Sequence, residues 1–424
     1  MSVSLPEEIN YSPMKALPSQ TNTLNVAATP TNGSSFGPNS NIDLQLISRG
    51  CLIPDSMYLS FDMTIAQAAL NSEMKACPAY TPFASVDVLV GSQSIDRISS
   101  YNILMGMLSN LTLDVAQKFG QQSSLGYGPS TKMQNADAMN ALDGCLFNTS
   151  LTADTISVSM PLMCVLSQAE KLLPLFLMPQ VKLQLTVDSI NSMFTGANTP
   201  SAFTLSNVEL RYKTVDFGNS VESMLRAAAP KIVIKSQSYG VSSQTLTGGS
   251  SGSVDLVFNQ RYASVKALFA LNGSSATNAN GAFDSVNLAP GSNYAFLVGG
   301  VQYPQKRLNS ATNRAAFMSE LRSAVGSVHD RTNALSIDAY EFSFNAVNNG
   351  SITYISPAKF YVATSTERIG SDAMLTGIST ENTPITYSIG LGEATTSTSQ
   401  ITLVVNHDAI FEIDSVTGDT QLRV

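Results

Sequence analysis

The 424-residue chain contains no tryptophan, two histidines and four cysteines, and only 13% of its residues are charged. Each shortage removes a class of function. His329 and His407 cannot build the histidine-rich ligand set of a cupin-type metal site, and Cys51, Cys77, Cys145 and Cys164 show no C-x-x-C spacing to supplement them. The same two histidines are the sole imidazole bases for a Ser-His-Asp or Cys-His centre. Four cysteines are too sparse for a disulfide scaffold, so reduced thiols acting as small core hydrophobes are expected. Lys and Arg total 23 against 31 Asp and Glu, for a net charge of -8. No basic run exceeds the pair Lys306, Arg307, and phosphate contacts need clusters of cations, so direct nucleic-acid binding is not expected. No apolar stretch reaches the ~20 residues of a membrane span. The N-terminal residues, Met1 to Glu8, lack the basic and apolar regions of a signal peptide, so synthesis in the cytosol is expected.

Hydrophobic residues make up 43% of the chain, and the uncharged polar remainder is heavy in Ser, Thr, Asn and Gln. A free enzyme of this size would carry closer to ~25% charge, so the balance suits a protein whose surface is largely covered by other protein. A β-rich secreted protein would share it. The length exceeds what one core usually fills and predicts two domains of about 200 residues each.

Alternation of apolar and polar residues dominates the pattern. It is unbroken from Val181 to Val187 and returns at 232–234, 254–258 and 265–269, which is the signature of antiparallel strands. Further strands are expected at 42–46, 59–65, 86–90, 156–160, 208–212, 294–298, 335–344, 352–355, 401–405 and 410–413. Helical periodicity places Tyr101, Leu104, Met105 and Leu108 on one face behind a potential N-cap, Ser99. It also places Val221, Met224, Leu225 and Ala228 on one face of a connector stopping at Pro230, and Phe317, Leu321 and Ala324 on a helix closed by Gly326. Ser167 and Glu170 have capping-box spacing before Leu172 and Leu173, predicting a short helix there. A Pro/Asn/Ser/Gly-rich leader runs to about residue 40. Two polar stretches, 117–154 and 364–400, are expected to be long projecting loops. Many short strands in this order fit a jelly roll, and two in tandem fit the length.

Several segments together resemble the double jelly-roll major capsid proteins of Polinton-like viruses, virophages and related eukaryotic DNA viruses. They are Pro174 to Met178, Gly91 to Tyr101, Ile234 to Tyr239, Arg261 to Phe269, Val298 to Pro304 and Asn406 to Ile410, and they occur in order across both halves. The resemblance implies an all-β chain with an N-terminal arm at 1–40, jelly rolls at 41–216 and 231–424, and a linker helix at 217–230. It implies a homotrimer forming pseudo-hexagonal capsomers of an icosahedral shell in the virion, contacting neighbouring capsomers, penton and minor capsid proteins, with an internal membrane left open. It brings no catalytic, cofactor or metal-binding residues.

Other readings of the same residues are ordinary. His407 follows a strand and reads as a turn histidine, and His329 as a surface or cap residue. Glu412 to Asp414 reads as a polar strand end rather than a glycosidase carboxylate pair. Gly248 to Gly252 lacks the Lys and helix of a phosphate loop and reads as a hairpin turn. Sequons at Asn32, Asn110, Asn148, Asn272 and Asn349 reflect composition, and Met105, Met107, Met160, Met163 and Met178 read as core filler. A jelly-roll carbohydrate or receptor binder and a carboxylate-based glycan hydrolase are the alternatives from other classes.

Overall fold

The computed structural model describes residues 21–66, 72–75, 77–129, 144–147, 153–195, 200–228, 230–273, 285–289, 291–326, 348–349, 352–353, 359–368 and 375–424. Eight strands form the first sandwich: β1 (Asn22–Ala28), β2 (Asn41–Gln45), β3 (Tyr58–Ala66), β4 (Phe83–Val90), β5 (Gln93–Ser99), β6 (Ala153–Pro161), β7 (Val181–Val187) and β8 (Ala202–Asp216). One sheet has the order β1-β8-β3-β6 and the other β2-β7-β4-β5, all antiparallel. After helix α2 come β9 (Lys231–Leu246), β10 (Gly252–Phe258), β11 (Val265–Asn272), β12 (Asn293–Val298), β13 (Val301–Asn309), β14 (Tyr361–Ser365), β15 (Ile385–Leu391) and β16 (Ser399–Asp414). Their sheets run β9-β16-β11-β14 and β10-β15-β12-β13. Adding eight to every strand number of the first sandwich reproduces the second. Each sandwich also places a helix after its fifth strand, α1 (Tyr101–Thr112) and α3 (Arg314–Gly326), while α2 (Asn219–Ala228) joins the two.

The strands form where alternation lets one face enter a core. In β7 the inward residues Val181, Leu183, Leu185 and Val187 are buried and Lys182, Gln184 and Thr186 are half-exposed. β11 is buried at every position. The sandwich core covers one face and α3 packs over the other through Phe317 and Leu321, which accounts for its continuous apolar run. The two sandwiches share one contiguous core.

Several expectations are corrected. The leader is shorter than forty residues, because Asn22–Ala28 pairs with Ala28 opposite Leu210 and Asn22 opposite Asp216; its modest apolar residues Leu24 and Val26 cover a sheet edge. The α1 N-cap is Ser100, in the left-handed region at φ 51, not Ser99. No helix forms at Ser167; its hydroxyl instead closes a turn with Cys164 N–H and C=O, both at 3.0 Å. The stretch 117–154 carries helical turns at Val115–Gly120 and Gln122–Leu125 rather than a bare loop. The stretch 364–400 is not one loop, since it contains all of β15. The expected strand 335–344 lies outside the described residues, as do His329 and the side chain of Cys145. Asn110 and Asn272 are buried, at 8% and 0% exposure, so neither sequon can carry a glycan in this fold.

Close backbone approach fixes one connection to the second sandwich. A Cβ on Gly377 would lie 2.2 Å from the Val265 carbonyl oxygen, because Ile378 and Val265 exchange backbone hydrogen bonds at 2.8 and 2.9 Å. Gly377→Ala is therefore expected to cost about 1–3 kcal/mol through backbone displacement. Thermal denaturation should show a lowered midpoint, and an unchanged midpoint would refute the close approach.

Candidate functional site

In both sandwiches successive strands alternate direction, so the connections sort into two ends. The end where the chain enters β1, leaves β8, enters β9 and leaves β16 is fixed by the pairs Asn22 with Asp216 and Lys231 with Asp414. We term it basal. The tight turns at Gly91, Ser92 and at Gly299, Gly300 and the segments 162–180 and 366–384 belong to it. At the opposite, distal end the chain leaves β3, β5, β7, β11, β13 and β15 and enters the strand that follows each. The stretch 364–400, expected to project beside 117–154, is thus divided: the connection from β14 to β15 leaves and re-enters at the basal end, and 392–398 lies at the distal end. The counterpart of the β5-to-β6 connection in the second sandwich is the one that joins the distal ends of β13 and β14.

The sandwiches stand side by side with the same polarity. Ser238 Oγ lies 2.9 Å from both carboxylate oxygens of Asp96, and Ser99 Oγ donates to the Val241 carbonyl at 3.1 Å. Three residues onward in β5 meet three residues onward in β9, so the two edge strands run parallel. At the basal side Ser236 Oγ donates to Val165 O at 2.6 Å and Glu170 N–H to Lys235 O at 3.0 Å. At the distal side Asn110 Nδ2 donates to Tyr361 Oη at 3.3 Å. α1 is buried at every position from Tyr101 to Leu111, where a surface helix would show a polar face.

A polar cluster lies at this junction. His407 is inside β16 rather than in a turn, is 2% exposed, and stacks on Tyr262 with ring centroids 3.8 Å apart. Tyr262 in turn presses on the backbone of β9, where a Cβ on Gly240 would lie 2.0 Å from the phenolic oxygen. Asp408 accepts from Ser264 Oγ at 2.6 Å, and its other oxygen is 3.8 Å from Lys235 Nζ, which lies 3.6 Å from Glu170. Burial pushes the Asp96 carboxyl up to about 6, against the lowering effect of hydrogen bonds from Ser238, Val165 and Arg97. Burial pulls the His407 imidazole down to about 4, so it is neutral.

This geometry holds elements together and does not assemble a reaction centre. The His407 Nδ1 is 3.2 Å from the Asp408 carbonyl, and among the described residues no serine or cysteine side chain hydrogen-bonds the ring. Cys51, Cys77 and Cys164 are buried thiols with pKa values raised to about 11 by burial. Among the described residues no group of three His, Cys, Asp or Glu could hold a metal, and no helix is long and apolar enough to cross a membrane. Glu412 forms a 2.5 Å ion pair with Lys231 at the basal end of β16. Sequence reading did not identify Asp96, Lys235, Ser238 or Tyr262 as a cluster. Yet the segments 91–101, 234–239, 261–269 and 406–410, singled out as family-like, converge here.

No protein-family model matches the chain, and no curated protein matches its sequence. Solved structures do match. The Faustovirus major capsid protein superimposes with a TM-score of 0.64 at 10% identity, covering 96% of this chain and 92% of that one. A chain in the structure of the Sputnik virophage gives 0.58 at 12% identity, over 100% and 93%. The mavirus major capsid protein gives 0.55 at 10% identity, over 100% and 95%. At these identities the likeness establishes the fold, a double jelly roll of the kind found in viral major capsid proteins.

The junction has a pH signature. The depressed His407 contributes stability present above about pH 6.5 and lost as pH falls through about 4, on the order of 3 kcal/mol for a shift of this size. The raised Asp96 acts oppositely: its contribution is present below its ordinary value of 3.8 and lost as pH rises through about 6. His407→Gln is therefore expected to lose less stability than the parent between pH 6.5 and pH 4 in denaturant titrations. Identical slopes would mean that His407 titrates normally.

Proposed function

We propose that the chain is a major capsid protein, a structural subunit and not an enzyme, that assembles as a homotrimer. An N-terminal arm, expected at 1–40 and here shortened by the pairing of Asn22–Ala28, precedes one jelly roll ending at 216; 217–230 is the linker and 231–424 the other jelly roll, and three copies give six sandwiches around a pseudo-hexagonal capsomer of an icosahedral virion shell. The observation carrying this reading is the common polarity of the two sandwiches, fixed by the parallel run of β5 beside β9. A capsomer needs all six sandwiches upright, since an inverted one would expose the wrong loops on each surface. The low charge supports it as well: 13% leaves much surface suited to burial against other protein.

In this reading the distal ends face outward and the basal ends, with the leader, face inward toward minor capsid proteins. Neighbouring capsomers and pentons complete the contacts. Direct nucleic-acid contact is not part of the proposal, given the net charge of -8.

Light scattering on the purified protein should return three times 45.0 kDa at micromolar concentration; a persistent monomer would overturn the trimer. Limited proteolysis of assembled particles should cut first within 113–152 and 327–358, which connect distal strand ends, and spare 366–384, which connects basal ones. Cleavage in 366–384 with both distal segments protected would place the molecule upside down.

A further inference from the structure

The basal end carries an apolar groove of about 470 Å3 between the sandwiches. Its walls are Val215 and Phe217 at the end of β8, Val221 and Leu225 of α2, Leu172, and the first residues of β9. Apolar surface is left open there: Val233 is 56% exposed and Leu172 is 37% exposed. The backbone edge of β9 away from β16 has no ladder partner among the described residues over Lys231 to Ile234; the next carbonyl, of Lys235, accepts from Glu170 N–H at 3.0 Å. A hydrophobic groove beside an unpaired strand edge is a site for an extended peptide, which satisfies the edge and fills the groove with alternate side chains.

We propose that this groove receives the chain's own leader, residues 1–20, as an added strand beside Lys231 to Ile234. Three observations select that occupant. The chain reaches β1 at the groove itself: Asn22 pairs with Asp216, whose neighbours Val215 and Phe217 are groove walls. Twenty residues can extend roughly 65 Å, far more than the site needs, and tethering supplies an effective concentration in the millimolar range. The leader has the required chemistry. Leu5, Ile9, Tyr11, Met14 and Leu17 supply apolar side chains, while Pro6, Pro13 and Pro18 favour extended backbone and reduce the entropy lost on docking. The charges also correspond, with Glu7, Glu8 and Lys15 in the leader against Lys171, Lys231 and Glu222 at the groove. The inference concerns the single unassembled chain and stands or falls independently of the capsid assignment.

The absence of tryptophan gives a clean test. In full-length protein, Val233→Trp installs a single reporter in the groove. Its acrylamide quenching is expected to be several-fold weaker than in the same protein also carrying Ile9→Asp and Leu17→Asp in the leader. Equal quenching in the two would overturn the proposal. Protection that arises only in assembled shells would also overturn it, by giving the groove to a neighbour or a minor protein. A photo-crosslinking amino acid at Tyr11 supplies a second measurement that does not depend on the groove variant. In mixtures of isotopically heavy and light protein, crosslinks should join Tyr11 to peptides spanning 171–176, 221–225 or 231–234 of the same chain. Heavy-to-light crosslinks, or crosslinks elsewhere, would refute docking by a chain's own leader.

Discussion

The length of one connection sets the architecture. β8 ends at the basal end and α2, ten residues long, rises about 15 Å before β9 begins. A sandwich whose longest strands have 16 residues is roughly 53 Å tall. The linker is too short to carry the chain to the opposite end, so β9 must start where β8 stopped and the second sandwich must repeat the polarity of the first. Everything that distinguishes the two ends of the molecule follows from this.

Polarity leaves the vertical register open, and the junction cluster fixes it. The pairs Asp96 with Ser238 and Ser99 with Val241 specify a single alignment of β5 on β9, and a slip would strand the Asp96 carboxylate. Asp408 and Lys235 work the same way: the Lys235 ammonium lies 3.8 Å from the Asp408 carboxylate and 3.6 Å from Glu170, and a slip would separate all three. Buried ionic contacts of this kind add little net stability because desolvation offsets the Coulomb attraction. Their effect here is on alignment: apolar packing of β5 on β9 would tolerate several offsets, and the polar contacts satisfy one. The neutral His407 stacked on Tyr262 completes the cluster without adding a charge.

Legibility in the sequence followed burial. Strands with one wet face, such as Val181–Val187, were readable because period-2 alternation survives there. β14 was missed since all of Tyr361 to Thr364 is buried, which removes the alternation, and five residues are too few for length to decide. β15 alternates, but it sits within Ser, Thr and Gly residues that locally read as loop. β5 and β13 were hidden by polar composition: Gln93 to Ser99 buries Ile98 alone, and β13 keeps Leu308 inside. His407 was read as a turn residue because Asn-His-Asp interrupts two apolar runs. The tertiary partners Tyr262, Ser264 and Lys235 make that polar triplet acceptable within a 16-residue strand, and no local pattern reveals them. The double jelly roll was legible from the order of elements, whereas the junction was visible only as segments with no stated reason to be together.

The placement of the long insertions has a topological cause. In each sandwich the fifth strand is an edge of one sheet and the sixth an edge of the other: β5 and β6 in the first, β13 and β14 in the second. Chain inserted between two edge strands displaces no ladder hydrogen bonds and crosses no neighbouring connection, so added length costs only the slowly growing loop-closure entropy. Insertion between β7 and β8, or between β15 and β16, must instead emerge between central strands flanked on both sides. Those connections are shorter than the fifth ones, 188–201 in the first sandwich and 392–398 in the second against 100–152 and 310–360. The fifth connection leaves from the distal end in both sandwiches, and α1 and α3 begin it by covering apolar surface of the fold. The longest connections therefore leave from one end of the molecule, while the tight glycine turns at Gly91 and Gly299 lie at the other.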